Sequence, residues 1–257
     1  MRQMLWWNAQ WRLEVDVTQV TASYAGVNIA GPQSRTVLAR LVGDLDLSPA
    51  AFPYMGLREG AVAGVPARIM RVGFVGELGF EIHVPATQGE ALWDALLEAG
   101  RPLGIRPFGV EAQRQLRLEK GHIIVSQDTD GLTTPDEADM EWAIAKAKPF
   151  FVGKRSIEIQ RAAGVKRKLV GFTLDGAADG RAPKECHLVL RGNEITGRVT
   201  SVGFSPVLGK VVGLAFVAAD QAAPGSRFDI KIEGGEILTG IVTRPPFYDP
   251  ANQRQEM

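Results

Sequence analysis

One cysteine, Cys186, and three histidines, His83, His122 and His187, are all that this 257-residue chain offers to thiol or soft-metal chemistry. A lone cysteine closes no internal disulfide and builds no cysteine-based zinc site, and a histidine cluster would have to gather residues far apart in sequence. No metal is therefore expected, and a reducing, cytoplasmic setting fits. Cys186 and His187 adjoin in a strand-like run and should face opposite ways, a core cysteine beside a surface histidine. An excess of charge is also missing, because 29 Lys plus Arg balance 29 Asp plus Glu. That leaves no broad footprint for nucleic acid or an anionic membrane. The short run Lys166, Arg167, Lys168 beside Arg161 reads as a solvated face. Nowhere do about 18 consecutive apolar residues occur, so no transmembrane helix is expected. The apolar start Met4 Leu5 Trp6 Trp7 is broken by Asn8, Gln10 and Arg12 before a secretory segment could form. No G-x-G-x-x-G stands at a strand-to-helix turn, which removes the dinucleotide fingerprint.

What remains is ordinary globular composition, 45% hydrophobic and 23% charged, at a length that suggests two domains. Met4, Trp7 and Trp11 share one face of a short helix whose partner is not evident in the sequence. Arg12 to Val17 alternates strictly and reads as a half-buried strand, with a second from Tyr24 to Ala30. Gly31 and Pro32 turn the chain into a helix carrying Val37, Leu38, Leu41 and Val42. Ala67 to Val72 and Phe80 to Val84 read as strands, Gln88 to Glu98 and Val110 to Lys120 as helices, and another helix starts near Gly153 Lys154 Arg155 Ser156. From Lys168 the pattern becomes six short β runs, 169–174, 188–190, 195–202, 211–217, 227–232 and 237–242, as in a small antiparallel barrel. The expectation is an α+β protein with a mixed first domain over 1–164 and a barrel over 165–257. The tail after Pro245 Pro246 should be extended and poorly ordered at its end.

Two stretches bear on chemistry. In Arg71 Val72 Gly73 Phe74 Val75 Gly76 Glu77 Leu78 Gly79 Phe80 Glu81 Ile82, strand alternation sends Phe80, Ile82 and Val84 to one face and Glu81 and His83 to the other. Three glycines would let the connection approach a ligand, and Phe74 could wall it. A carboxylate there suits a planar heterocycle with two parallel N–H donors, such as a pterin edge. Taken alone, the pattern reads more simply as an exposed Glu on an ordinary hairpin. In Gly109 to His122, Gln113 and Arg117 share one helical face, Arg114 and Leu118 a neighbouring one, and Gly121 is a natural C-cap. Spacing alone makes this a helix laced with surface charge.

Together and in this order the two stretches resemble the glycine-cleavage T-protein (aminomethyltransferase) family, with its motifs R-x-G-Y-T-G-E-x-G-x-E and L-R-L-E-x-G. The similarity is stronger still to the folate-binding end of heterotetrameric sarcosine oxidase α subunits. It is carried by Leu116 Arg117 Leu118 Glu119 Lys120 Gly121 His122, by Gln127 Asp128 Thr129 Asp130, by Lys148 to Arg155 and by Pro246 Phe247 Tyr248 Asp249 Pro250. The resemblance spans essentially the whole chain. It implies tetrahydrofolate as cofactor, Glu81 as the pterin-holding glutamate, and further contacts from Phe74, Gln113, Arg117 and Tyr248. Phe74 stands where many T-proteins have tyrosine, and Gln113 where many have arginine. The family's acidic segment with the aspartate thought to assist methylene transfer lies upstream of the matched region. The chain is thus expected to begin partway through a domain, with no catalytic residue named and Asp16 no substitute.

For the intact family the implied chemistry is capture of a one-carbon unit from oxidised sarcosine, giving 5,10-methylenetetrahydrofolate, with any flavin on a partner or a missing segment. Expected partners are reduced folate and other oxidase subunits or domains. Alternatives are a T-protein-like aminomethyltransferase, a dimethylglycine-type demethylase component, or a folate-binding or assembly module without chemistry. The last class carries a cysteine in K-G-C-Y-x-G-Q-E, where this chain has Lys120 Gly121 His122 Ile123.

Overall fold

The computed structural model describes residues 1–43, 45–175 and 181–257. By packing, the chain forms two compact units: residues 1–73, 77–107 and 254–257 in one, and 74–76 and 108–253 in the other. The boundary expected at 164/165 follows the sequence; packing draws its line between Pro107 and Phe108.

The first unit opens with α1 (Arg2–Trp11), which buries no residue. Trp7 stacks on Trp11 at 4.9 Å and meets Trp6 edge-on at 4.5 Å, so the indoles cover one another. The strand expected at Arg12 to Val17 does not form. Arg12 adopts φ 51 and stops the helix, Asn8 caps the Val15 carbonyl, and Leu13 and Val15 stay exposed. Alternation alone makes no strand where no neighbour supplies a ladder.

Next come β1 (Tyr24–Ala30), α2 (Ser34–Ala39), β2 (Leu57–Val62), β3 (Val65–Met70), β4 (Gly79–Pro85) and α3 (Gly89–Gly100). The strands form one antiparallel sheet in the order β1-β4-β3-β2. β2 is absent from the sequence reading because Leu57 to Val62 is mostly exposed and lacks an apolar face. Phe80, Ile82 and Val84 point into the core with Ile29, Ile69, Leu38 and Leu92, all 6% exposed or less. Burying each such side chain contributes about 1.5–3 kcal/mol. The opposite face of β4 carries Glu81 and His83, both half-buried.

The second unit contains α4 (Val110–Glu119), α5 (Lys154–Ala163) and six strands: β5 (Arg167–Leu174), β6 (Leu188–Arg191), β7 (Glu194–Ser205), β8 (Lys210–Ala218), β9 (Arg227–Lys231) and β10 (Ile237–Thr243). The strands close an antiparallel barrel in the order β10-β5-β8-β7-β6-β9. Its core contains Phe172 edge-on to Phe228 at 5.6 Å. Each ring lies where a Cβ on Gly213 or Gly240 would intrude, 2.4 and 2.6 Å away. Glycine opposite phenylalanine lets the small barrel fill without a void.

Three local expectations are corrected. Cys186 is the exposed residue, in a turn with φ 70, while half-buried His187 accepts the Lys184 N–H; β6 starts only at Leu188. The basic run is ion-paired, not merely solvated: Arg161 binds Asp136 at 2.7 Å, Arg167 binds Glu137 at 3.1 Å and lies over the Phe216 ring, and Lys168 faces Glu141 at 3.6 Å. Finally, the tail ends in a packed helix, α6 (Gln253–Glu256), with Gln255 2% exposed.

Among the described residues no helix is long and apolar enough to cross a membrane, and no group of three or more His, Cys, Asp or Glu could hold a metal ion.

Candidate functional site

In the first unit Glu81 stands on the polar face of β4, opposite Asn28 of β1 and Met70 of β3. Its carboxylate is 37% exposed, and His83 Nε2 lies 3.5 Å away. The strand's alternation creates this placement: the apolar residues on either side of Glu81 are locked inward, so its side chain must face out. A carboxylate so held has acceptor capacity for a donor pair, the chemistry a pterin edge requires.

The glycines before it act differently from the reading above. A Cβ on Gly73 would lie 2.6 Å from the Glu77 carbonyl, one on Gly79 2.8 Å from the Val72 carbonyl. In the second unit a Cβ on Gly76, at φ 79, would lie 2.8 Å from the Lys120 stem. These glycines are required by the chain's own close approaches.

Also in the second unit, half-buried Phe74 stacks on His122 with ring centroids 5.9 Å apart. His122 Nδ1 donates to the Phe74 carbonyl at 2.7 Å. A carbonyl can only accept, so Nδ1 carries the proton and Nε2 is left as the acceptor of the neutral ring. Burial pushes the His122 pKa down; the bond to Phe74 opposes this, and nearby Lys120 and Arg117 reinforce it. The ring is accordingly held neutral.

Helix α4 ends in a Schellman motif: Gly121, at φ 75, donates to Leu118 O and His122 N donates to Arg117 O. The L-R-L-E-x-G residues turn inward around it. Arg117, 1% exposed, donates to Asp128 Oδ2 at 2.7 Å, Ser201 Oγ at 2.7 Å and the His122 carbonyl at 2.9 Å. Asp128 also accepts from Thr200, Ser201 and the Ile124 N–H. Buried Glu119 accepts from Ser205 at 2.7 Å, and its carbonyl takes the Phe247 and Tyr248 N–H groups. Lys120 reaches Asp249 at 3.3 Å. Tyr248 is thereby fixed through its backbone, and its side chain is half-buried.

Arg117 is thus committed to the interior. It floors a cleft of about 200 Å³ with Ser201, Leu118, Gln115 and Val202, whose mouth holds Arg114 and Glu185 paired at 2.5 Å. Gln127 bridges Glu185 and Ser201. Gln113, half-buried, is on the same helix. In the sequence Gln127 and Asp128 stood out only as part of the family resemblance, with no contact assigned to them, and Glu185 did not stand out at all. Beside the nearby Arg117 and Ile124, the contacts that tie Gln127 and Asp128 to Glu185, Thr200 and Ser201 span 58 to 74 residues, beyond any local spacing signal.

A four-stranded antiparallel sheet with flanking helices, followed by a closed six-stranded barrel locked onto an L-R-L-E-x-G helix, defines the aminomethyltransferase fold. The GCVT N-terminal domain matches residues 1–148 and the glycine cleavage T-protein C-terminal barrel domain matches residues 167–249. The chain belongs to the glycine cleavage T-protein family. It is 36% identical to sarcosine oxidase subunit alpha of Corynebacterium sp. strain P-1 over 98% of its own length and 27% of that protein's. It is 33% identical to an aminomethyltransferase of Halothermothrix orenii over 90% of its length and 63% of that protein's. The glycine cleavage system aminomethyltransferase T from Bartonella henselae superposes with a TM-score of 0.75 at 28% identity, over 88% of this chain and 60% of that one. The chain therefore spans less than two thirds of each of these relatives.

Proposed function

We propose that the chain is the tetrahydrofolate-binding part of a sarcosine oxidase-type assembly, one in which the one-carbon unit of oxidised sarcosine is captured to give 5,10-methylenetetrahydrofolate. The observation that carries this is Glu81, a half-exposed carboxylate held outward by the buried residues on either side of it, the residue to which the family resemblance would give the pterin. Coverage of 98% of the chain by a sarcosine oxidase α subunit supports the oxidase assignment. Tetrahydrofolate would supply the acceptor for the one-carbon unit. Glu81 would take its pterin donors, while Phe74, Gln113 and Tyr248 would contribute wall and polar contacts. Arg117 would act indirectly, by holding Asp128. Positioning is the contribution such a module makes. Oxidation, with any flavin, falls to another segment or subunit, so other oxidase subunits are the proposed partners. An aminomethyltransferase role is the second reading, favoured by the Halothermothrix orenii relative.

The test is an anaerobic calorimetric titration of the protein and its Glu81→Ala variant with tetrahydrofolate. Wild type should bind, and the variant should lose about 2–5 kcal/mol, as for truncating one partner of a buried charge-assisted contact. An equal affinity of the two proteins would remove Glu81 from the site.

A further inference from the structure

The residues from Arg254 onward pack in the first unit, where they grip the connection between β3 and β4. Gln255 Nε2 donates to the Gly73 carbonyl at 2.5 Å and to the Tyr54 hydroxyl at 2.9 Å. Arg254 Nη1 meets Glu77 Oε1 at 3.3 Å, four residues further along the same connection. Arg71, 2% exposed, donates to Phe52 O at 2.9 Å, to Glu256 O at 2.8 Å and to Met257 O, and Arg35 also donates to Met257 O. The segment thus ties down the start of the connection at Gly73 and its later part at Glu77.

A buried primary amide is a costly way to fill space, since each of its polar atoms must find a partner. Here both N–H donors are used, one on each acceptor, and two bonds fix the plane of the amide. That plane sets the Gly73 carbonyl, and Gly73 has little room to adjust, with the Glu77 carbonyl 2.6 Å from where its Cβ would stand. The path from Gly73 to Gly79 in turn delivers Glu81 onto β4. We infer that Gln255 is a positioning residue for the folate site, holding the β3–β4 connection in the form that binds the pterin. This inference rests on the folate reading above.

Gln255→Glu keeps the shape but replaces the donor with a carboxylate that can only accept, which turns the Gly73 contact repulsive. Tyr54→Phe removes the other acceptor of the same amide and leaves the Gly73 bond. Both variants and the wild type are titrated anaerobically with tetrahydrofolate, at a temperature where circular dichroism shows each fully folded. Hydrogen exchange of the 74–78 amides is followed in parallel. Gln255→Glu should bind about tenfold more weakly, as when the competent form of a loop falls to one tenth. It should also speed exchange in 74–78 while β7 and β8 keep wild-type protection. Tyr54→Phe, which keeps the Gly73 bond and loses one of the two that orient the amide, should fall between the wild type and Gln255→Glu in both readouts. Unchanged affinity in Gln255→Glu, or an equal loss in Tyr54→Phe, would reduce the segment to a structural support and overturn the inference alone. No binding by the wild type would overturn the folate reading and the inference with it.

Discussion

At the scale of single residues, the strongest commitment is the Arg117–Asp128 pair, with side chains 2% and 0% exposed. Both Asp128 oxygens are filled, Oδ2 by Arg117 and the Ile124 N–H, Oδ1 by Thr200 and Ser201. An ion pair taken out of water gains little over an apolar substitute, but losing one partner strands the other charge. Asp128→Ala should therefore destabilise the protein by about 3–5 kcal/mol, read from the midpoint of urea unfolding at constant slope. A change below about 1 kcal/mol would mean that water or a neighbour satisfies Arg117. Sequence exposed half of this pair. The motif singled out Arg117, and a ligand was the natural partner to imagine, because Asp128 only becomes its mate once the Schellman turn at Gly121 folds the chain back. Glu81 was legible for the opposite reason: strand alternation is local, and it decides which face a side chain takes.

The elements show the same division. All six barrel strands were readable, because in each a short β-rich run ends at turn residues. The Arg12 to Val17 alternation misled, since pairing is a property of two strands and only one was in view. Leu57 to Val62 went unseen because hydrogen bonding to β3 rather than burial makes it a strand. The end of α4 illustrates what the family motif does. Gly121 takes φ 75, and a Cβ there would stand 2.2 Å from Pro245 Cβ. Gly121→Ala thus combines left-handed strain, about 1–2 kcal/mol, with a side-chain collision that must push the 245–249 segment off the Glu119 carbonyl. The expected loss is about 2–4 kcal/mol, from strain and overpacking together. Thermal unfolding and the exchange rates of the Phe247 and Tyr248 amides report it. Those two amides remaining as protected as in wild type would show that the helix end absorbs the change by itself.

For the molecule as a whole, formal charge is balanced at zero, so near-neutral pH brings no large self-repulsion to obscure the titration of one group. His122 is that group. Its folded pKa lies below the ordinary 6.5, burial being the main cause, with Lys120 and Arg117 adding to it against the Phe74 bond. In the unfolded chain the ring protonates near 6.5. Above that pH both states carry neutral imidazole, and the contribution to stability is fully present. Below it the unfolded chain gains a proton that the folded ring resists, so stability falls as pH drops toward the folded value, by at most about 1.4 kcal/mol per pH unit for one proton. A urea-unfolding series across this range should show wild type losing stability on acidification more steeply than His122→Gln, with the profiles parallel above pH about 7. Parallel profiles throughout would mean that the ring protonates as easily folded as unfolded. The wall that Phe74 forms with His122 would then have to tolerate a charged partner.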